Sequence, residues 1–357
     1  MIPIFTGLDL ISITYKYLCE ETKRLKYKQM KKKEKQEELS LDLEMAKEAE
    51  EKQELLRAAF LYKSALEKAC ELQDSQKIQE LKHKVKELNK KSSDEYQTAE
   101  FRTEISKEEV EREVNHFLSE PSLEAILTKL TKVRFFPKFS EIEKSAQETM
   151  PISYRFVTVN TTDEDGNLVR GGEDGEYTWL MQMYGLSIGV HLKLRLLNIL
   201  RELMRTTDQK KNLNEKSLMK YLQQSNILEA PNLPLVKIGI KRYFEEDYIS
   251  AIHILIPQFE NVFLRFSEKA GIDVLRLNQE GGISTQLKTL NSHLLKRKEL
   301  MKVWSEDFCR FLDYVLFNPL GYDLRNKVAH GEIRESDCNF ATVTVILFIF
   351  IFLAGRT

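Results

Sequence analysis

Arg325, Asn326 and His330 are the residues whose types and spacing best suit chemistry in this 357-residue chain. They lie in "GYDLRNKVAHGE", Gly321 to Glu332, just after the loop Asn318-Pro319-Leu320-Gly321. A guanidinium neutralises phosphate charge, and an imidazole, which titrates near ~6.5, takes or gives protons at neutral pH. If Asp323 caps a helix that starts at Leu324, Asn326 and His330 stand i,i+4 on one face. Arg325 then lies five residues before His330, about 140° around the helix. It also falls in the first turn, where the helix dipole disfavours a cation but favours an anion held by that cation and the free N–H groups. Asp323 would compete with such an anion. On spacing alone, R-x-x-x-x-H arises often by chance, and the plainer alternative pairs the arginine with Glu260 while the histidine packs.

The elements that must position these residues read as helices. Pro (8) and Gly (14) are sparse, hydrophobic residues make up 42% of the chain, and its length predicts two or three compact units. Lys+Arg (54) and Asp+Glu (55) nearly cancel, so a net charge of −1 gives no global attraction to nucleic acid. Cys19, Cys70, Cys309 and Cys338 form no C-x-x-C pair, which fits a reducing compartment and argues against structural zinc. The first residues lack a basic start and a small-residue cleavage site, so a secretory signal is not expected and the cytoplasm is.

The fold class expected is mainly α, in three parts. Residues 1–93 carry charged helices and a tetratricopeptide-like helical hairpin. Lys and Glu interleave over 20–53, as on a solvated helix. Leu55, Ala59, Tyr62, Leu66 and Ala69 make one apolar stripe, and Ile78, Leu81, Val85 and Leu88 a second, with Asp74 or Ser75 suited to cap it. Residues 100–235 form a middle helical region with a β-hairpin near 153–171, where alternation flanks the turn "DEDGN". A calcium loop is a poor fit there: Leu168 falls where glycine is needed and Asp174 where glutamate is. His191 reads as a hydrogen-bonded core histidine. Residues 236–357 form a helical bundle. Tyr248, Ile252, Ile256, Phe259, Phe263 and Phe266 give one long face, kinked at Pro257, with Glu260 at its margin facing Arg265 or another arginine. Leu287, Leu290 and Leu294 are expected on one helix, and Trp304, Phe308, Phe311 and Val315 on the next. The apolar tail, Phe340 to Ala354, has 15 residues against the ~20 of a membrane span, so it reads as a buried helix or an interface.

The stretch "LRNKVAHG" in this helical setting resembles the HEPN superfamily of ribonuclease type. More narrowly, the chain is similar to the subgroup with a C-terminal R-N-x-x-x-H-G signature. The upstream "HILIPQFENVFLRFSEKAG" and "NPLGYDLRNKVAHG" both share that resemblance, which covers roughly 243–354. It implies a metal-independent endoribonuclease, with a toxin-like or defence effector as the biological setting. Carried over, Arg325 would neutralise the phosphorane, His330 would move a proton to or from the 2′-OH or the 5′-oxygen, and Asn326 would orient histidine or phosphate. Glu260 and Arg265 are the supporting residues. No cofactor and no metal are expected, the partner is RNA, and two motifs would meet at a homodimer interface in the C-terminal bundle.

Two other readings stay open. A non-catalytic helical interaction or nucleotide-binding module would use the N-terminal hairpin to bind a protein partner. A membrane-anchored adaptor would use the tail, whose length argues against it.

Overall fold

The computed structural model describes residues 7–92, 106–132, 135–156, 158–162, 168–225, 227–228, 232–278 and 284–356. The chain is mainly helical. It forms two compact units, Met1–Phe101 with Asn160–Gly171, and Arg102–Val159 with Gly172–Thr357.

The first unit is built on three helices, α1 (Gly7–Glu51), α2 (Leu55–Leu72) and α3 (Ser75–Lys91). Its core is small and rich in alanine: Ala46, Ala49, Ala58, Ala65 and Ala69 are buried together with Leu39, Tyr62, Leu81, Val85 and Leu88. Alanines let helix axes approach closely while keeping helix propensity high. This corrects the expectation of a purely solvated charged helix over 20–53. Leu39, Ala46 and Ala49 recur at spacings of seven and three, so they share one face, and that face is covered by α2. The charged residues flank the seam. Lys68 reaches Asp42 at 2.7 Å, and Glu50 accepts from Lys84 at 2.6 Å and from the Tyr62 hydroxyl at 3.3 Å. Asp74 caps α3, its side chain accepting from the Lys77 N–H at 3.1 Å.

The second unit contains α4 (Lys107–Leu118), α5 (Leu123–Lys132), α6 (Phe139–Thr149), α7 (Gly175–Gly189), a π-helical segment Val190–Leu196, α8 (Leu197–Arg205) and α9 (Glu215–Gln224). It continues with α10 (Leu233–Phe244), α11 (Tyr248–Lys269), α12 (Ser292–Leu295), α13 (Lys298–Trp304), α14 (Glu306–Leu316), α15 (Leu324–His330) and α16 (Phe340–Ala354). Of the paired strands β1 (Thr158–Thr162) and β2 (Leu168–Asp174), the stretch Asn160–Gly171 is counted with the first unit, and the 163–167 turn of the β-hairpin expected near 153–171 lies outside the described residues. β3 (Leu275–Asn278) and β4 (Ser284–Leu287) pair antiparallel, with Leu275 opposite Leu287. Leu287 therefore sits in a strand and Leu290 in a loop, not on the helix expected for them. Their apolar spacing matched a helical period, but only α12, which holds Leu294, is helical there. Trp304 and Phe308 are likewise split between α13 and α14, because Ser305 takes a φ of 75° and its hydroxyl caps α14 at the Phe308 N–H.

α16 is the axis of this unit. Every residue from Val343 to Ala354 is buried within the one chain, against α5, α9, α10 and α11 among others. An α-helix that is apolar on all sides has to be covered on all sides. Phe348 meets Phe135, Phe350 meets Phe259, and Phe352 stands 4.3 Å from Phe308, centroid to centroid. Its buried hydroxyl, Thr344 Oγ1, donates to the Phe340 carbonyl at 2.6 Å and lies 2.8 Å from the Tyr243 hydroxyl, so no polar group is stranded there. The sequence predicts a buried helix or an interface for the tail; one chain covers it, so α16 by itself gives no reason for a homodimer. Among the described residues no helix is long and apolar enough to cross a membrane.

Candidate functional site

The site is set by how the chain leaves α14 and enters α15. The Phe317 and Asn318 N–H groups both donate to the Asp313 carbonyl at 2.9 Å, ending α14. Asn318 is buried; its Oδ1 accepts from the Leu320 N–H at 2.9 Å and its Nδ2 donates to the Tyr177 hydroxyl at 3.2 Å. The chain then turns back onto α14, where the Tyr322 N–H donates to the Tyr314 carbonyl at 3.1 Å. Gly321 is required at this crossing, since a Cβ would lie 2.1 Å from that same Tyr314 oxygen. Asp323 follows in the left-handed region, φ 51°, and α15 begins at Leu324, which is buried and anchors the helix. At the other end Gly331, φ 70°, closes the helix. The Glu332 N–H reaches back to the Lys327 carbonyl at 2.8 Å, so the glycine of the signature is a left-handed helix stop.

This geometry corrects one detail of the sequence reading. α15 starts where expected, but Asp323 makes no side-chain cap to the helix N–H groups. Its Oδ1 accepts instead from Asn326 Nδ2 at 2.7 Å. Burial pushes the Asp323 carboxyl up to about 6, against the opposing pull of the Asn326 hydrogen bond and of Lys327 and His330. Asn326 is thus engaged with Asp323 rather than with the histidine.

Arg325 turns towards α11. Its Nε donates to Glu260 Oε2 at 3.3 Å, while Glu260 Oε1 accepts from the Leu290 N–H at 2.8 Å. Among the described residues no group accepts a hydrogen bond from its terminal amino groups, and the side chain is partly exposed. Arg265, on the same helix as Glu260, donates to Asn261 Oδ1 at 2.8 Å. The structure therefore joins Arg325 with Glu260, and Asn326 with Asp323. His330 ends the helix, exposed to solvent. Five residues of helix separate Arg325 from His330 by about 7.5 Å along the axis.

Two features were not legible as site elements. Lys327, inside the signature, lies 3.5 Å from Asp337 Oδ2 on the wall of a pocket of about 320 Å³ beside α15. The second is the π-helical segment. It places His191 Nδ1 2.8 Å from Arg195 Nη1, and Arg195 in turn reaches Glu113 at 2.6 Å through Nε. Arginine only donates, so His191 accepts at Nδ1 and carries its proton on Nε2. Burial and the Arg195 charge both lower the His191 pKa. His191 is thus a half-buried, hydrogen-bonded histidine. Among the described residues no three His, Cys, Asp or Glu side chains gather so as to hold a metal ion.

Compared with known proteins, the chain matches no family model, no curated protein and no solved structure.

Proposed function

We propose that the chain is a metal-independent endoribonuclease of the HEPN type, acting through Arg325 and His330. The observation that supports this reading is the state of Arg325: Glu260 accepts from its Nε, and no described residue accepts from its two terminal amino groups. A guanidinium fixed in this way and only partly exposed suits a phosphate better than a freely swinging surface arginine does.

In this reading the RNA 2′-oxygen attacks the adjacent phosphorus as His330, neutral, takes its proton. The new P–O2′ bond forms, the P–O5′ bond breaks, and the 5′-oxygen leaves with a proton supplied by an acid. Arg325 balances the charge that builds on the phosphorane oxygens. The products are a 2′,3′-cyclic phosphate and a 5′-hydroxyl, and DNA, lacking the 2′-OH, is spared. A single histidine is either base or acid in one turnover, so a second copy of the chain, bringing its own motif, completes the site. The toxin-like or defence setting, the cytoplasmic location and the homodimer belong to this same proposal. It is tested by incubating the full chain with mixed cellular RNA in EDTA and identifying the new ends. Cyclic phosphate ends support it; cleavage that needs Mg²⁺ contradicts it.

A second reading, a protein-interaction module, is favoured by the surface of the first unit. Leu41, 56% exposed, and Phe60, 58% exposed, are large apolar side chains left open to solvent there.

A further inference from the structure

The pocket beside α15 has a defined chemistry. Leu192 of the π-helical segment, Leu197 of α8 and Val345 of α16 supply apolar walls, and Tyr322 supplies an aromatic ring. At its edge Lys327 and Asp337 place a cation and a carboxylate 3.5 Å apart. The volume, about 320 Å³, stands at the small end of the range for organic ligands, ~300–1,000 Å³. Asn339 and Thr342 also line the pocket and are engaged with each other, the Thr342 N–H and hydroxyl both donating to Asn339 Oδ1, so the Lys327–Asp337 pair is what meets the polar edge of a flat heteroaromatic ring.

The polar groups divide into those already engaged and those with capacity left. Asp337 Oδ2 accepts from the Arg334 N–H at 3.3 Å as well as meeting Lys327, while Oδ1 has no donor among the described residues. Lys327 brings three donors, and Asp337 occupies at most part of that capacity. The rim therefore offers a carboxylate that accepts beside an ammonium that donates.

We propose that this pocket binds a guanine base. Guanine presents two adjacent N–H donors, N1–H and N2–H, next to one acceptor, O6. The carboxylate of Asp337 takes the two N–H groups and the Lys327 ammonium gives to O6. Adenine offers one donor and one acceptor on that edge, and uracil one donor between two acceptors, so neither makes all three bonds. The ring lies between the aliphatic walls and Tyr322. Losing a well-placed pair of hydrogen bonds to a base corresponds to ~5–150-fold in affinity. The proposal concerns binding alone and does not need the ribonuclease reading, because neither Lys327 nor Asp337 is placed in the proton-transfer machinery.

The test is calorimetric titration of the full chain with 5′-GMP and, separately, 5′-AMP. Saturable GMP binding at least tenfold tighter than AMP is expected. Asp337→Asn, which keeps an acceptor for the Arg334 N–H, is expected to remove the preference for GMP, and Lys327→Met to weaken GMP binding. Ala341→Phe, placing a ring in the pocket, is expected to abolish binding of both. Guanosine, which carries no phosphate for Arg325 or His330, is expected to keep the same preference over adenosine, which separates this pocket from the cleavage site. Equal affinity for the two nucleotides, no binding of GMP, or a preference that survives in a folded Asp337→Asn protein overturns the assignment.

Discussion

Glu260 holds two separate pieces of the chain with its two carboxylate oxygens: Oε2 meets the Arg325 guanidinium and Oε1 meets the Leu290 N–H. One buried-margin side chain on α11 thereby sets both the orientation of Arg325 and the path of the loop into α12. Glu260→Gln keeps an acceptor but loses the charge. A loss of about 1 kcal/mol in unfolding free energy is expected, discounted for the partial exposure of the pair. Glu260→Ala frees both partners and is expected to cost about 1–3 kcal/mol. Chemical denaturation of the two variants measures this. If Glu260 supports Arg325 rather than acting as base, Glu260→Gln lowers RNA cleavage only modestly.

Asp323 is expected to make stability fall as pH rises. Its carboxyl is pushed from 3.8 to about 6 by burial. The folded protein therefore favours the protonated form. That contribution is full below the unfolded value of about 4 and is lost as pH rises through about 6. Asp323→Asn keeps the acceptor for Asn326 and removes the charge, so, discounted for partial exposure, it is expected to gain about 1 kcal/mol at pH 7 and little at pH 3. Thermal unfolding of both proteins across pH 3–8 separates them; a variant no more stable at pH 7 than at pH 3, relative to the unaltered chain, contradicts the burial argument.

Much of this arrangement could be read from the sequence, and the parts that could not share a cause. Asp74 at a helix start, the helix beginning at Leu324 and the buried tail from Phe340 follow from local spacing and length. The pairing of Glu260 with Arg325 was one of two options, since spacing names candidates but long-range packing chooses between them. Asp323 was misread as a cap because its left-handed φ, which turns the carboxyl towards Asn326, leaves no mark in residue type. The buried face of α1 was hidden because alanine and leucine among many charges look like a solvated helix until a partner helix covers them. Residue type and spacing mark no role for Lys327, because the pocket wall opposite it comes from Asp337 and α16.

The tail is expected to behave as core. Phe352 packs 4.3 Å from Phe308 and also meets Phe136. Phe352→Ala is expected to cost about 3–5 kcal/mol. Deleting 340–357 is expected to unfold the second unit instead of releasing a folded remainder. Circular dichroism and limited proteolysis of the truncated chain report this, and a truncated protein that keeps a cooperative unfolding transition for 102–339 contradicts the assignment of α16 as the axis.

If two motifs form one site, inactive chains are expected to rescue one another. Arg325→Ala and His330→Ala proteins, each silent alone, are expected to regain measurable cleavage when mixed under conditions that let subunits exchange. Light scattering on the same samples reports whether a dimer is present. A dimer that shows no rescue, or an active protein that stays monomeric on RNA, contradicts the shared site.

The most direct measurement compares the unaltered chain with Arg325→Ala, His330→Ala and the double variant on one RNA pool in EDTA, scoring 2′,3′-cyclic phosphate ends. General acid–base catalysis contributes ~10²–10⁴-fold and a charge clamp about 10²–10³-fold, and groups acting as a unit are not additive. Each single variant is therefore expected to lose activity by at least about 100-fold, with the double variant little worse. Cyclic phosphate ends that persist at the unaltered rate in folded His330→Ala protein would place the chemistry elsewhere.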